Sequence, residues 1–188
     1  MNLNRFLGLS MALLLLPAVN AWADDYADTV KIFQNAGESG TFFSHAYGYA
    51  VFPTIGKGGI GLGGAHGKGR VFEQGNYIGD TAMTQVTIGF QLGGQAFSQI
   101  VFFEDKRALS EFTGGNFEFG AQAQAVAITA AAGATAATTG ATAGASGGKN
   151  DAVTVGKYHK GMAVFTVAKG GLMYEASVGG QKFSYTPK

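Results

Sequence analysis

The chain has 188 residues, 46% of them hydrophobic and 13% charged, with 31 glycines, no cysteine and a formal net charge of +1. One domain's worth of chain can bury a core without covalent staples, and the absence of cysteine excludes disulfides and an acylated cysteine of the lipoprotein kind. The near-neutral balance excludes a strongly basic nucleic-acid footprint, so any anion binding rests on local clustering of charge.

Residues 1–23 read as a secretory signal peptide. Arg5 precedes an apolar stretch from Phe6 to Pro17, and Ala21-Trp22-Ala23 supplies a small-residue cleavage pattern. The stretch is short for a membrane anchor and Pro17 interrupts it. The working domain is then 24–188, exported to the periplasm or outer envelope.

Asp24 to Ala36 is predicted as a short helix. Tyr26, Val30 and Phe33 recur at helical spacing, acids crowd its first turn, and Gly37 stops it. Its acidic charge argues against a membrane-surface helix, which is usually basic. Phe42 and Phe43 follow, read as core residues with apolar insertion into a membrane as the alternative. Ala46 to Pro53 is strand-like.

Gly56 to Arg70 holds eight glycines in fifteen residues. Glycine loses more backbone entropy on folding than any other residue, so this density implies unusual conformations or a close approach. Alternation of Ile60, Leu62 and Gly64 fits a strand in a crowded sheet. Lys57, Lys68 and Arg70 sit inside or beside this frame. They are read either as edge lysines that suppress aggregation or, with the backbone N–H groups of glycine-rich turns at Gly58 and Gly59, as an anion site.

Val71-Phe72 continues as a short strand and Gln74-Gly75-Asn76 is a turn. Val86, Ile88, Phe90 and Leu92 alternate as the apolar side of a half-buried strand. Phe97 to Phe103 is a buried strand, and Glu104 to Phe112 a helix with Ala108, Leu109 and Phe112 on its apolar face. Phe117 and Phe119 are extended. The low-complexity Ala121–Gly148 region reads as a strand to about Ala131 and a surface loop over 133–150. Val153 to Val155, Gly161 to Ala168 and Leu172 to Val178 are extended, the last two as a hairpin about Lys169-Gly170-Gly171, and Phe183 to Tyr185 closes the sheet. The fold class is mainly β (α+β): a glycine-rich antiparallel sheet curled into a sandwich or barrel, with two short helices.

Catalytic signals are thin. Gly56-x-Gly58-x-x-Gly61 satisfies a dinucleotide pattern only by letters, because no helix opens on it. His45, His66 and His159 lack metal-ligand spacing and read as surface or structural residues; Ser44-His45 is a neighbour pair that says nothing of a triad. No cofactor and no enzyme activity are expected. Lys157 and Lys160 flank His159, and Lys169 sits in the last hairpin turn.

The ordered motifs resemble a known family. Tyr47-Gly48-Tyr49-Ala50-Val51-Phe52-Pro53, Gly56-Lys57-Gly58-Gly59 and Gly63-Gly64-Ala65-His66-Gly67-Lys68-Gly69 are similar to the opening of the SYLF domain. Ile88 to Gln95 resembles its "GFQ-G-Q" segment, Phe117 to Ala127 its "F-G-A-A-A" segment, and Lys160-Gly161 with Gly170-Gly171-Leu172 its ending. The resemblance covers about Phe42 to Gly180. It implies a lipid-binding domain with affinity for acidic phospholipids, some relatives of which bind actin. It carries over no catalytic residue. The acidic first helix departs from eukaryotic members, and an exported chain would not meet cytoplasmic actin.

The leading expectation is a cell-envelope lipid-binding protein contacting anionic headgroups through Lys57, Gly58, Gly59, Lys68 and Arg70, each cation contributing about 1 kcal/mol at an acidic membrane surface. The alternatives are a small outer-membrane β-barrel, for which the chain's final Pro187-Lys188 lacks a terminal aromatic, and a structural envelope protein without headgroup preference.

Overall fold

The computed structural model describes residues 21–89, 95–120, 123, 125–128, 158–169 and 178–188. The expectations over 1–20, Phe90 and Leu92, the 133–150 loop, Val153 to Val155 and most of the Leu172–Val178 strand lie outside them. Helix α1 spans Ala21–Asn35 and α2 spans Gly37–Phe42; strands β1 (Gly48–Glu73), β2 (Asn76–Gly89) and β3 (Gln95–Phe103) follow. Helix α3 (Lys106–Thr113) precedes β4 (Phe117–Glu118), β5 (Val126–Ile128), β6 (Met162–Lys169) and β7 (Lys182–Pro187). The strands form one curled half-barrel sheet in the order β4-β7-β2-β1-β3-β6-β5. Its pairs are antiparallel except β5 with β6, which is parallel.

The mainly β reading is correct in class, with three helices among the described residues rather than two. Gly37 ends α1 but opens α2 instead of a loop. The third helix starts where its capping chemistry puts it: the Asp105 carboxylate accepts the Ala108 N–H at 2.8 Å, and Ala108, Leu109 and Phe112 are buried as their spacing predicts. Phe183 lies on β7, but that strand sits inside the sheet between β4 and β2.

Strand β1 carries the glycine block and is 26 residues long. Straight, it would reach roughly 85 Å at about 3.3 Å per residue, several times the ~15 Å radius of gyration of a compact domain this size. It therefore doubles back. Residues 48–57 pair with β3 and residues 61–73 with β2, and the change of partner falls at 58–60, where Gly59 adopts φ +148°. The two halves close on each other. Gln74 N donates to Tyr47 O at 3.0 Å, and a Cβ added at Gly67 or Gly69 would lie 2.5 Å from Ile55 Cγ1 or 2.6 Å from the Phe52 ring. Close chain approach thus requires the glycines at 67 and 69.

Alternation assigns two faces. The inner face carries Ala50, Phe52, Ile55, Ala65, Val71, Met83, Phe97, Val101, Phe103 and Phe183, closed at one end by Phe112 of α3. The outer face carries Val51, Ile100, Phe102 and Phe165, over which Phe33 of α1 and Phe42 of α2 pack. Phe42 lies against the rings of Phe102 and Phe165, so it is a core residue. Strand β2 corrects one expectation: Val86 is 72% exposed while Thr81, Met83 and Gln85 are buried. The buried side of this strand is partly polar, and the Gln85 side chain is satisfied by the Gly179 carbonyl at 2.9 Å.

Candidate functional site

Helices α1 and α2 cover only part of the outer face. Beyond them Thr54, Gly56, Gly64, His66, Lys68, Thr84 and Val86 are exposed. Ladder partners in a sheet share a face, so registers place the rest. His66 lies opposite Thr84, Lys68 opposite Ala82 and Arg70 opposite Asp80.

Two of the three singled-out cations come together here. Lys68 is exposed and makes no ion pair with a described residue. Arg70, two residues on, is half-buried at the border with α1. Its guanidinium sits 4.4 Å from the Tyr26 ring centre, 5.3 Å from that of Tyr77, and 3.9 Å from the Asp80 carboxylate. Burial pushes the Tyr26 hydroxyl above its ordinary range, with the Arg70 charge pulling the other way. Lys57 goes elsewhere. It lies two residues after the buried Ile55 and takes that residue's inner side, half-buried at the rim, with Gln95 as its ladder partner.

The glycine-rich turns expected to offer N–H groups are a correction. Most of the run is laddered strand, in which alternate amides bond β2 or β3; within the run, residues 58–60 have no ladder partner among the described residues. Gly58 is half-exposed there, and a Cβ added to Gly56 or Gly58 would meet nothing within 4 Å. Close packing therefore explains Gly67 and Gly69 but not these two.

The other noted residues disperse. Lys157 lies outside the described residues. His159 and Lys160 are exposed in the turn before β6, and the imidazole of His45 contacts Thr41 O at 2.7 Å and Ser44 Oγ at 3.0 Å, a local arrangement at the end of α2. Lys169 ends β6 on the outer face, donating to Thr54 Oγ1 at 2.7 Å. Lys182 was not singled out by the sequence, because only the β2–β7 register reveals that it shares this face. Among the described residues no helix is long and apolar enough to cross a membrane, which says nothing of strands.

A family model described as Las17-binding protein actin regulator, Ysc84, matches residues 84–186, more than half of the chain. The chain belongs to the Ysc84, or SYLF, family. The SYLF match begins on β2, so β1 with Lys57, Lys68 and Arg70 precedes it. The chain is also similar to "Beta cell expansion factor A" of Aeromonas veronii, at 26% identity over 170 residues covering 88% of this chain. It spans about half of that relative's length, 55%. The SYLF family is not a known enzyme family.

Proposed function

We propose that the protein is a lipid-binding module of the cell envelope that docks on anionic phospholipid headgroups. The observation that carries this reading is the uncovered outer face of β1, where Lys68 and Arg70 stand on one side of a glycine-rich strand. Membership of the SYLF family supports it. Gly58 and Gly59, at the bend, leave the main chain open to a headgroup, and Lys57 approaches the same bend from the inner rim. The binding needs no catalytic group. The role is that of an exported, peripheral protein. A charged outer face is opposite in character to the apolar band of a membrane-spanning barrel, which favours the peripheral reading.

Sedimentation with vesicles tests it. Binding should be stronger to acidic than to neutral vesicles, should fall with added salt, and should weaken in a Lys57/Lys68/Arg70→Ala triple variant. Equal binding to both vesicle types, or an unweakened triple variant, would overturn it. Lys57→Ala alone measures the share of the inner rim. Release by osmotic shock without detergent is the expected result for localisation; retention until detergent is added would contradict a peripheral protein.

A further inference from the structure

Three adjoining strands set six outer-face residues into one compact block. Lys68 of β1 is opposite Ala82 of β2, and Ala82 is opposite Ser184 of β7. Two positions along, His66 is opposite Thr84, and Thr84 is opposite Lys182. Each step is a direct ladder pairing between neighbouring strands. The intervening Gly67, Met83 and Phe183 are buried, which puts the six on the opposite, outer side. Five of them are exposed, and Ala82 in their midst is partly so.

The side chains of this block suit one anionic group. Those of His66, Lys68, Thr84 and Ser184 make no hydrogen bond or ion pair with a described residue. Lys182 has Glu118 at 3.6 Å on the β4 side, an exposed pair of the weak, easily exchanged kind. Asp80 is taken up by Arg70 at the α1 border. Both acids thus lie outside the block, and cations hold two opposite corners of it. Lys68 and Lys182 stand about 12 Å apart at Cα, two strand spacings across and one two-residue step along. Between them Ala82 offers only a methyl group. Two lysine stems can close on one phosphate across that gap, with the hydroxyls of Thr84 and Ser184 as neutral donors beneath it. Val86 lies two residues beyond Thr84 on the same face and is 72% exposed. An inorganic anion has no use for that aliphatic contact, whereas the glycerol and acyl ester of a phospholipid do.

Resting on the lipid-binding reading above, we infer that Lys68 and Lys182 clamp the phosphate of a single acidic phospholipid over Ala82. Thr84 and Ser184 donate to its oxygens from below, His66 bounds the site on β1, and Val86 meets the glycerol end. Lys182, from the last strand, is the residue that the clamp adds to the cations of β1. The site belongs to β1, β2 and β7 alone and asks nothing of the strands beyond the β1 bend.

The test uses the full chain, vesicles of phosphatidylcholine with or without phosphatidylglycerol, and soluble dihexanoyl phosphatidylglycerol below its micellar concentration. One cation at an acidic surface contributes roughly fivefold, so Lys182→Ala should weaken vesicle binding by at least that factor. Lys106→Ala, an equal charge change at an exposed position of α3, should leave it unchanged. Ala82→Leu fills the gap between the lysines without altering charge and should weaken binding by a similar factor; attraction to a diffuse basic surface would not register it. Ser184→Ala removes one surface hydroxyl and should weaken binding roughly two- to tenfold. Unchanged melting temperatures check that each variant is folded. The soluble lipid should release the protein from vesicles, and inorganic phosphate at the same concentration and ionic strength should not. If the parent protein ignores acidic vesicles, the lipid-binding reading itself fails. If it binds and Lys182→Ala, Ala82→Leu and Ser184→Ala all bind as it does, the clamp is wrong while lipid binding stands. Release by inorganic phosphate to the same extent as by the soluble lipid would make the block a free-phosphate site and also overturn it.

Discussion

The guanidinium of Arg70 lies 4.4 Å from the centre of the Tyr26 ring, joining the outer face of β1 to helix α1. With Tyr77 at 5.3 Å and Asp80 at 3.9 Å, one side chain bridges the helix and two strands. A half-buried cation over an aromatic face contributes about 0.5–2 kcal/mol, according to its desolvation. Arg70→Ala should therefore speed amide exchange in α1, around Thr29 to Phe33, while β3 stays protected. Arg70→Lys should recover part of the protection, because it keeps the charge and loses the planar stack. Uniform loss of protection in both elements would show that Arg70 supports the whole sheet rather than the seam.

The glycines divide into those that the fold requires and those that it does not. A Cβ at Gly69 would lie 2.6 Å from two Phe52 ring carbons and 2.9 Å from Val51 O; at Gly67 it would lie 2.5 Å from Ile55 Cγ1 and 2.9 Å from Thr54 O. Backbone cannot yield cheaply to such overlap, so Gly67→Ala and Gly69→Ala should each cost about 1–3 kcal/mol in urea denaturation. Gly56→Ala meets open space and should change stability by less than about 0.5 kcal/mol. Equal costs at all three positions would contradict the doubling back of β1.

What the sequence revealed depended on how local the cause was. The strand at Phe97 to Phe103 and the helix capped by Asp105 are set by their own apolar spacing and cap, and both are found. The doubling back of β1 was not legible, because glycines on both sides of the bend gave no distinct turn signal. The exposure of Val86 was missed because the opposite face of β2 buries Thr81 and Gln85, which alternation alone would place outside. Within the candidate site, the i, i+2 spacing of Lys68 and Arg70 was a sufficient signal. Lys57 departs because the β1–β3 register shifts between Phe52 and Ile55, changing which later residues face inward. Lys182 is placed beside Thr84 and His66 only through long-range register, which no local pattern reports.

The polar interior has its own test. Gln99 and Gln181 are fully buried and exchange two hydrogen bonds, Gln99 Nε2 to Gln181 Oε1 at 2.9 Å and Gln181 Nε2 to Gln99 Oε1 at 3.1 Å. Replacing one leaves the other amide desolvated and unpaired, at about 1–3 kcal/mol. Gln99→Leu and Gln181→Leu should each destabilise by that amount in urea denaturation. The double variant should be less destabilised than the sum, since both polar groups leave together. Strict additivity would show that the pair is not coupled.

Tyr158 provides the pH test. Its ring packs edge-on against Phe42 at 5.1 Å, and its hydroxyl is buried with no hydrogen-bond partner in the described structure. Burial, assisted by the Glu104 charge, raises its ionisation from 10.0 to about 12. Below pH 10 the hydroxyl is protonated in folded and unfolded chains alike, and its contribution is intact. Between about pH 10 and 12 the unfolded chain releases the proton while the folded chain holds it, so stability falls as pH rises and this contribution is lost past the folded value. Tyr158→Phe should flatten that alkaline decline, leaving a residual slope from Tyr26 and Tyr49, whose ionisation burial also raises. Near neutral pH the same variant should be unchanged or more stable by about 1 kcal/mol, because it removes an unpaired buried hydroxyl and keeps the ring. Denaturant titrations of both proteins across pH 7 to 12 decide the matter, and a steeper decline in the phenylalanine variant would contradict the burial of that hydroxyl.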